Sequence, residues 1–256
     1  ITLGNNDLIL SNATLASLLG GNATNHFITN GTGAFHRQVS GANYPFPISN
    51  GTSYLPVTMS LTSGPAERFG ARVRTDVHSD YSAPGMPSGS VVVNDQVERT
   101  WTITELTNGG NQATVQLQWN GSDEGANFNR ANSGLHSYNG TDWVALALGT
   151  AGGSNPYTRN ANSVGLFREF TVADGESTLP FVCNDGLVPG AACNDADACT
   201  INDAVTAGCL CQGTFQDTDS DGTCNANDGC PNDPLKIVAG ICGCGVADVA
   251  VTYFED

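Results

Sequence analysis

All nine cysteines of this 256-residue chain (Cys183, Cys193, Cys199, Cys209, Cys211, Cys224, Cys230, Cys242, Cys244) fall after residue 180, and none falls before it. No other feature restricts the fold so strongly. It divides the chain into a long stretch that must hold itself together by packing alone and a short one that can rely on covalent or metal cross-links. The length suits one medium domain with a small one attached, enough to bury a proper core.

Cysteine this dense means either a disulfide framework or metal clusters. Zinc sites use CxxC or Cys/His spacings around a tetrahedral ion. Here the close pairs are CxC (Cys209 with Cys211, Cys242 with Cys244), and no histidine lies beyond His136. Disulfides are therefore expected, and with them an extracellular setting. Nine is odd, so at least one thiol is free, joined to another chain, or paired with a cysteine outside this sequence.

Charge follows the same division. Residues 1–180 carry 13 acidic and 8 basic side chains, whereas the remainder carries 12 acidic ones against Lys236 alone, within an overall formal charge of −16. An acidic module with a single cation repels nucleic acid and anionic membrane and attracts hard cations. No run of 18 apolar residues exists, so no membrane insertion is expected. The sequence opens at Ile1, without Met or a signal peptide, in what reads as a strand, which suggests a processed or excised part of a longer protein.

Hydrophobic period two recurs throughout the first 180 residues. Leu55, Val57, Met59 and Leu61 alternate with Tyr54, Pro56, Thr58 and Ser60; Val115, Leu117 and Trp119 alternate with Thr114, Gln116 and Gln118. Val97, Trp101 and Ile103 do the same against Glu98, Thr100, Thr102 and Thr104, and the turn Asn108-Gly109-Gly110-Asn111 predicts a hairpin to the next strand. Only Thr14 to Leu19 reads as a short helix. The fold class expected is all-β: an antiparallel β-sandwich over residues 1–180, a jelly-roll being one arrangement, followed by a small loop-rich module held by disulfides and calcium. A linker covers 175–180, and the alternating run 249–256 reads as the start of a following strand or linker.

The run from Asp217 to Asp228 is the strongest chemical signal. Asp217, Asp219, Asp221, Asn225 and Asp228 place side-chain oxygens at loop positions 1, 3, 5, 9 and 12. Thr223 offers its carbonyl at position 7, and Gly222 stands at position 6 where the chain turns sharply. Calcium takes six to eight oxygens, and this spacing supplies them from one short loop. Asp195, Asp197 and Asp203 form a possible second cation site; the alternative is that they cap turns between disulfides.

The DxDxDGxC pattern, continued by Cys230-Pro231 and by Gly240 to Gly245, resembles a thrombospondin type 3 calcium repeat over residues 213–248. Upstream, Cys183-Asn184-Asp185 and Cys193-Asn194-Asp195 resemble a Cys/Asp repeat (residues 181–212) that precedes such repeats in large secreted proteins of gliding Gram-negative bacteria. Stretches of the first domain, among them Phe46 to Val57 and Tyr138 to Trp143, are similar to parts of those type IX-secreted surface proteins. The resemblance implies a building block of an adhesin and calcium as the cofactor. Its expected partners are neighbouring domains of a long protein or identical subunits in a filament, with surface glycans or other cells as further candidates.

No enzyme is expected. The sequence has no GxSxG elbow, HExxH or P-loop, and its four histidines are scattered. The functional expectation is a structural, adhesive stalk or filament unit at the cell surface. The rival is a carbohydrate-binding accessory module of a secreted hydrolase, for which Trp101, Trp119 and Trp143 are the candidate sugar platform. Arg68, Arg72 and Arg74 form a basic stripe that is either a solvated face or a contact for an acidic partner.

Overall fold

The computed structural model describes residues 1–248 apart from 13, 15–17, 19, 108, 175–180, 184, 207 and 208. The helix expected at Thr14 to Leu19 lies for the most part outside the described residues, and the linker 175–180 and the strand expected at 249–256 lie wholly outside them. Two compact units result, Ile1–Val188 and Pro189–Asp256.

The first unit is an all-β sandwich. One sheet has eight strands in the order Leu8–Leu10, Phe35–Val39, Glu67–Thr75, Arg99–Glu105, Glu169–Asp174, Ser133–Tyr138, Trp143–Gly149 and Phe181–Cys183. The other has five: Gly152–Gly153, Tyr157–Val164, Gln112–Trp119, Val57–Ser63 and Tyr44–Phe46. Pairing within them is antiparallel except at the two edges of the larger sheet, where Leu8–Leu10 and Phe181–Cys183 add in parallel.

Period two in the sequence becomes the two faces of these strands. Val57, Met59, Leu61, Val115, Leu117 and Trp119 of the smaller sheet meet Phe35, Phe69, Val73, Trp101 and Phe170 of the larger in one buried cluster. All three tryptophans are fully buried, and each indole N–H has an acceptor: Leu55 O, Glu124 Oε1 and His78 O for Trp101, Trp119 and Trp143. An aromatic side chain buries 150–250 Å², so each contributes up to roughly 4–6 kcal/mol of transfer free energy. They are core, and none is available to stack on a sugar.

The hairpin expected at residues 108–111 is not one. Arg99–Glu105 belongs to the larger sheet and Gln112–Trp119 to the smaller, so the turn arches from one sheet to the other. Its base is a buried polar knot in which Asn111 Nδ2 donates to Glu67 Oε2 (2.9 Å) and Glu105 Oε1 (2.7 Å). A two-residue hairpin would keep both strands in one ladder; here the chain changes layer with the Asn111 amide shared between Glu67 and Glu105, while Asn111 Oδ1 is buried without a hydrogen-bond partner.

Residues 76–96 leave the larger sheet and fold back over its outer face as two small ladders, Val77–His78 with Val91–Val92 and Tyr81–Ala83 with Met86–Pro87. Tyr81 bonds Thr100 Oγ1 (3.0 Å), Tyr138 donates to Asp80, and Gly85 N donates to Glu169. The strands beneath are thus covered on both sides, and every residue of Ser133–Tyr138 and Glu169–Asp174 is buried.

The second unit has one two-stranded ladder, Thr200–Val205 with Cys211–Phe215, and otherwise turns. Its buried residues, among those described, are Val205, Cys224, Asp228 and Cys230. Disulfides stand in for a core: Cys193–Cys211, Cys199–Cys224 and Cys230–Cys244 are bonded, Cys209 is oxidised as well, as is Cys183 in the first unit, and Cys242 is the free, exposed thiol among the described residues. Such bonds belong to an oxidising, extracellular setting. The division between units falls at 188/189 rather than at 180, because Phe181–Cys183 pairs with Trp143–Gly149 and so extends the sandwich. No helix among the described residues is long and apolar enough to cross a membrane.

Candidate metal centre

Exposure alternates along the loop that begins at Asp217. Asp217, Asp219, Asp221, Thr223 and Asn225 are half-buried, Thr218, Ser220 and Gly222 are exposed, and Asp228 is buried at 8 % exposure. The alternation comes from local hydrogen bonds. Asp217 Oδ1 accepts from Ser220 N (2.8 Å) and its Oδ2 from Gly222 N (2.9 Å), which curls the chain around that carboxylate. Asp219 Oδ1 accepts from Asp221 N (3.3 Å) and Asp221 Oδ1 from Thr223 N (2.7 Å), one turn feeding the next. Gly222 has φ +94°, and a Cβ there would touch nothing. It is the left-handed backbone, not crowding, that calls for glycine.

One carboxylate oxygen from each of Asp217, Asp219 and Asp221 lies within 4.8 Å of the others. Asp228 joins from the end of the loop: its Oδ1 accepts from Cys230 N (2.8 Å), and its charge is felt at Asp219. Burial, foremost, and then the nearby Asp221, Asp228 and Asp217 push the Asp219 carboxyl above its ordinary range, against the Asp221 N–H that favours the anion. The second oxygens of Asp219, Asp221 and Asp228 are buried with no hydrogen-bond partner. Three buried, unpartnered anionic oxygens beside a fourth carboxylate are costly without a cation. An all-oxygen donor set of this charge fits a hard divalent ion.

The Asn225 side chain bridges the loop. Its Oδ1 accepts from Thr218 N (2.9 Å) and its Nδ2 donates to Thr218 Oγ1 (2.7 Å). Together with Asn225 N on Gln216 O (2.9 Å), this clamps the loop's start to its middle. The Cys199–Cys224 bond anchors the middle, and Cys230–Cys244 begins two residues past Asp228. That bracing carried no signal in the sequence beyond the positions of the cysteines.

Asp195, Asp197 and Asp203 are arranged differently. Asp195 accepts from Asp197 N (2.9 Å), Thr200 Oγ1 (3.0 Å) and Gly213 N (3.1 Å), and Asp197 accepts from Cys199 N (2.9 Å). The Asp197 N–H, chiefly, holds the Asp195 carboxyl below its usual range despite partial desolvation. Asp203 Oδ2 accepts from Asp195 N (3.2 Å). Among the described residues Asp217, Asp219 and Asp221 form the one group of three with metal-ligand proximity; here the carboxylates tie turns together.

Compared with known protein-family models, curated proteins and solved structures, the chain matches none.

Proposed function

We propose that this chain is a structural, adhesive segment of a secreted cell-surface protein, a stalk or filament unit whose small second unit is stiffened by calcium and disulfides. The observation that carries the reading is the set of buried, unpartnered oxygens of Asp219, Asp221 and Asp228 beside Asp217. Calcium there, held by Asp217, Asp219, Asp221 and Asp228 with the Thr223 carbonyl, reverses the sign of the electrostatics in the loop. Mutual repulsion becomes shared attraction, and the loop's backbone is fixed. A unit with four buried residues among those described gains its rigidity from such links rather than from packing. The adhesin setting and the type IX route rest on the sequence resemblance.

Metal analysis after dialysis against millimolar calcium tests the reading together with limited proteolysis. One retained ion is expected, lost on Asp221→Ala, and chelator should open cleavage between about residues 213 and 228 while the sandwich stays intact. No retained calcium, or a cleavage pattern indifferent to chelator, removes the stiffening role.

A further inference from the structure

Arg72 and Arg74 lie two residues apart on the outer face of Glu67–Thr75, while Phe69, Ala71 and Val73 fill the core behind them. Among the described residues neither guanidinium comes within 4.0 Å of a carboxylate oxygen, although Arg99, Arg130 and Arg168 each have one. Their observed partners are backbone carbonyls at long range, Gly31 O for Arg72 and Gly85 O for Arg74, both 3.2 Å. Burial, and then the neighbouring Arg74, lower the Arg72 pKa. The buried Glu169 and the exposed Asp7 act on Arg72 in the opposite sense, yet in a chain of formal charge −16 the two cations stand side by side with no carboxylate in direct contact among the described residues.

The fold takes trouble to hold them so. Gly85, at φ +72°, sits where any Cβ would coincide with the Arg72 guanidinium; its N–H is fixed by the buried Glu169 and its carbonyl by Arg74. The pair opens into a cavity of about 290 Å³ lined also by Asn30, Thr32, Asn50 and Thr75. The Asn50 side chain is at 9 % exposure; its Oδ1 accepts from Thr52 N and Ser53 N, and its Nδ2 has no acceptor. Arg74 Nε has none either. The recess therefore holds unpartnered donors beside two guanidinium groups, rimmed by amides and hydroxyls.

We propose that this recess binds an oxyanion-bearing sugar residue, its carboxylate or sulfate on Arg72 and Arg74 and its hydroxyls on the surrounding amides and hydroxyls. Arginine forks match planar and tetrahedral oxyanions. Ligand pockets for drug-sized molecules run from about 300 Å³ upward, so this one suits a single ring. The amides of Asn30 and Asn50 and the hydroxyls of Thr32 and Thr75 around the arginines suit the hydroxyls of a sugar ring better than the side chains of an acidic peptide.

Calorimetric titration of the full chain with an oligogalacturonate, a sulfated oligosaccharide, a neutral oligosaccharide of equal length and a glutamate-rich peptide tests the proposal. Binding of either anionic sugar is expected, with the tighter one naming the group. The neutral sugar should bind at least about tenfold more weakly, as each lost charge-assisted bond is worth tenfold or more. Arg72→Gln with Arg74→Gln should remove binding, and Asn50→Asp, which keeps the Oδ1 bonds and adds a negative charge, should weaken it by a similar factor if the arginine variant fails to fold. Silence from both anionic sugars at millimolar concentration, binding that survives these substitutions, or a peptide that binds as tightly as the sugars would overturn it.

Discussion

Asp228 offers the sharpest separation between a ligand and a structural residue in the metal loop. Its Oδ1 accepts from the N–H of Cys230, itself at 1 % exposure, and its Oδ2 is buried without a partner. Asp228→Asn keeps the first bond and neutralises the second oxygen; Asp228→Ala removes both and strands a buried N–H at a cost of about 1–3 kcal/mol. Calcium modules of the extracellular kind have dissociation constants of about 10⁻⁴–10⁻³ M, so about 10 mM calcium should stabilise the native loop by about 1.4–2.7 kcal/mol. The asparagine variant should forfeit that increment while matching the native protein in chelator. The alanine variant should be weaker in both conditions. Fluorescence cannot report this, since all three tryptophans lie in the sandwich; hydrogen exchange of peptides spanning residues 213–230, followed by mass spectrometry, can. If Asp228→Asn retains the full calcium increment, the carboxylate is not a ligand and the reasoning from its unpartnered oxygen fails.

Calcium affinity should fall on acidification from neutrality through the raised Asp219 pKa, because protons compete for the carboxylates; without calcium the sign reverses, and mild acid should tighten the loop by relieving repulsion, both readable in the same exchange experiment. His136 is fully buried with its pKa lowered to about 4, against about 6.5 unfolded. The unfolded chain therefore takes up its proton first, and sandwich stability should be complete above pH 6.5 and decline by roughly 3 kcal/mol towards pH 4, a slope that His136→Gln should flatten in denaturant titrations. Alkylation without reductant should label Cys242 alone, with no label in Cys242→Ser, while the loss of any one disulfide should cost the second unit roughly 2–5 kcal/mol and leave the sandwich's tryptophan emission unchanged; several labelled thiols would revive zinc.

The sequence showed the sandwich wherever one strand face was wet. Val57–Ser63 and Gln112–Trp119 alternate in burial much as they alternate in polarity. It misled where both faces are covered: Ser133, His136, Ser137, Glu169, Thr171 and Asp174 would be assigned to solvent on polarity, yet all are buried beneath the 76–96 excursion or against neighbouring loops. No local pattern announces a lid that arrives from elsewhere in the chain. The change of sheet at residues 108–111 was hidden for a related reason, since an Asn-Gly-Gly-Asn turn looks alike whether it closes a ladder or bridges two layers. The Asp217 to Asp228 loop was legible because its carboxylates are contiguous in sequence and their spacing alone brings three of them together. The Arg72 and Arg74 recess was half legible: the stripe shows in the sequence, but the lack of a carboxylate in direct contact and the part played by Gly85 do not.

The second unit's dependence on sulfur bridges also bears on when it can take its shape. A segment whose buried residues, among those described, amount to one valine, two bonded cysteines and an aspartate has almost nothing to collapse around while its thiols are reduced. Reduced, it should behave as a supple, highly anionic thread rather than as a packed unit. Oxidation should then act as the latch that gives this unit its shape.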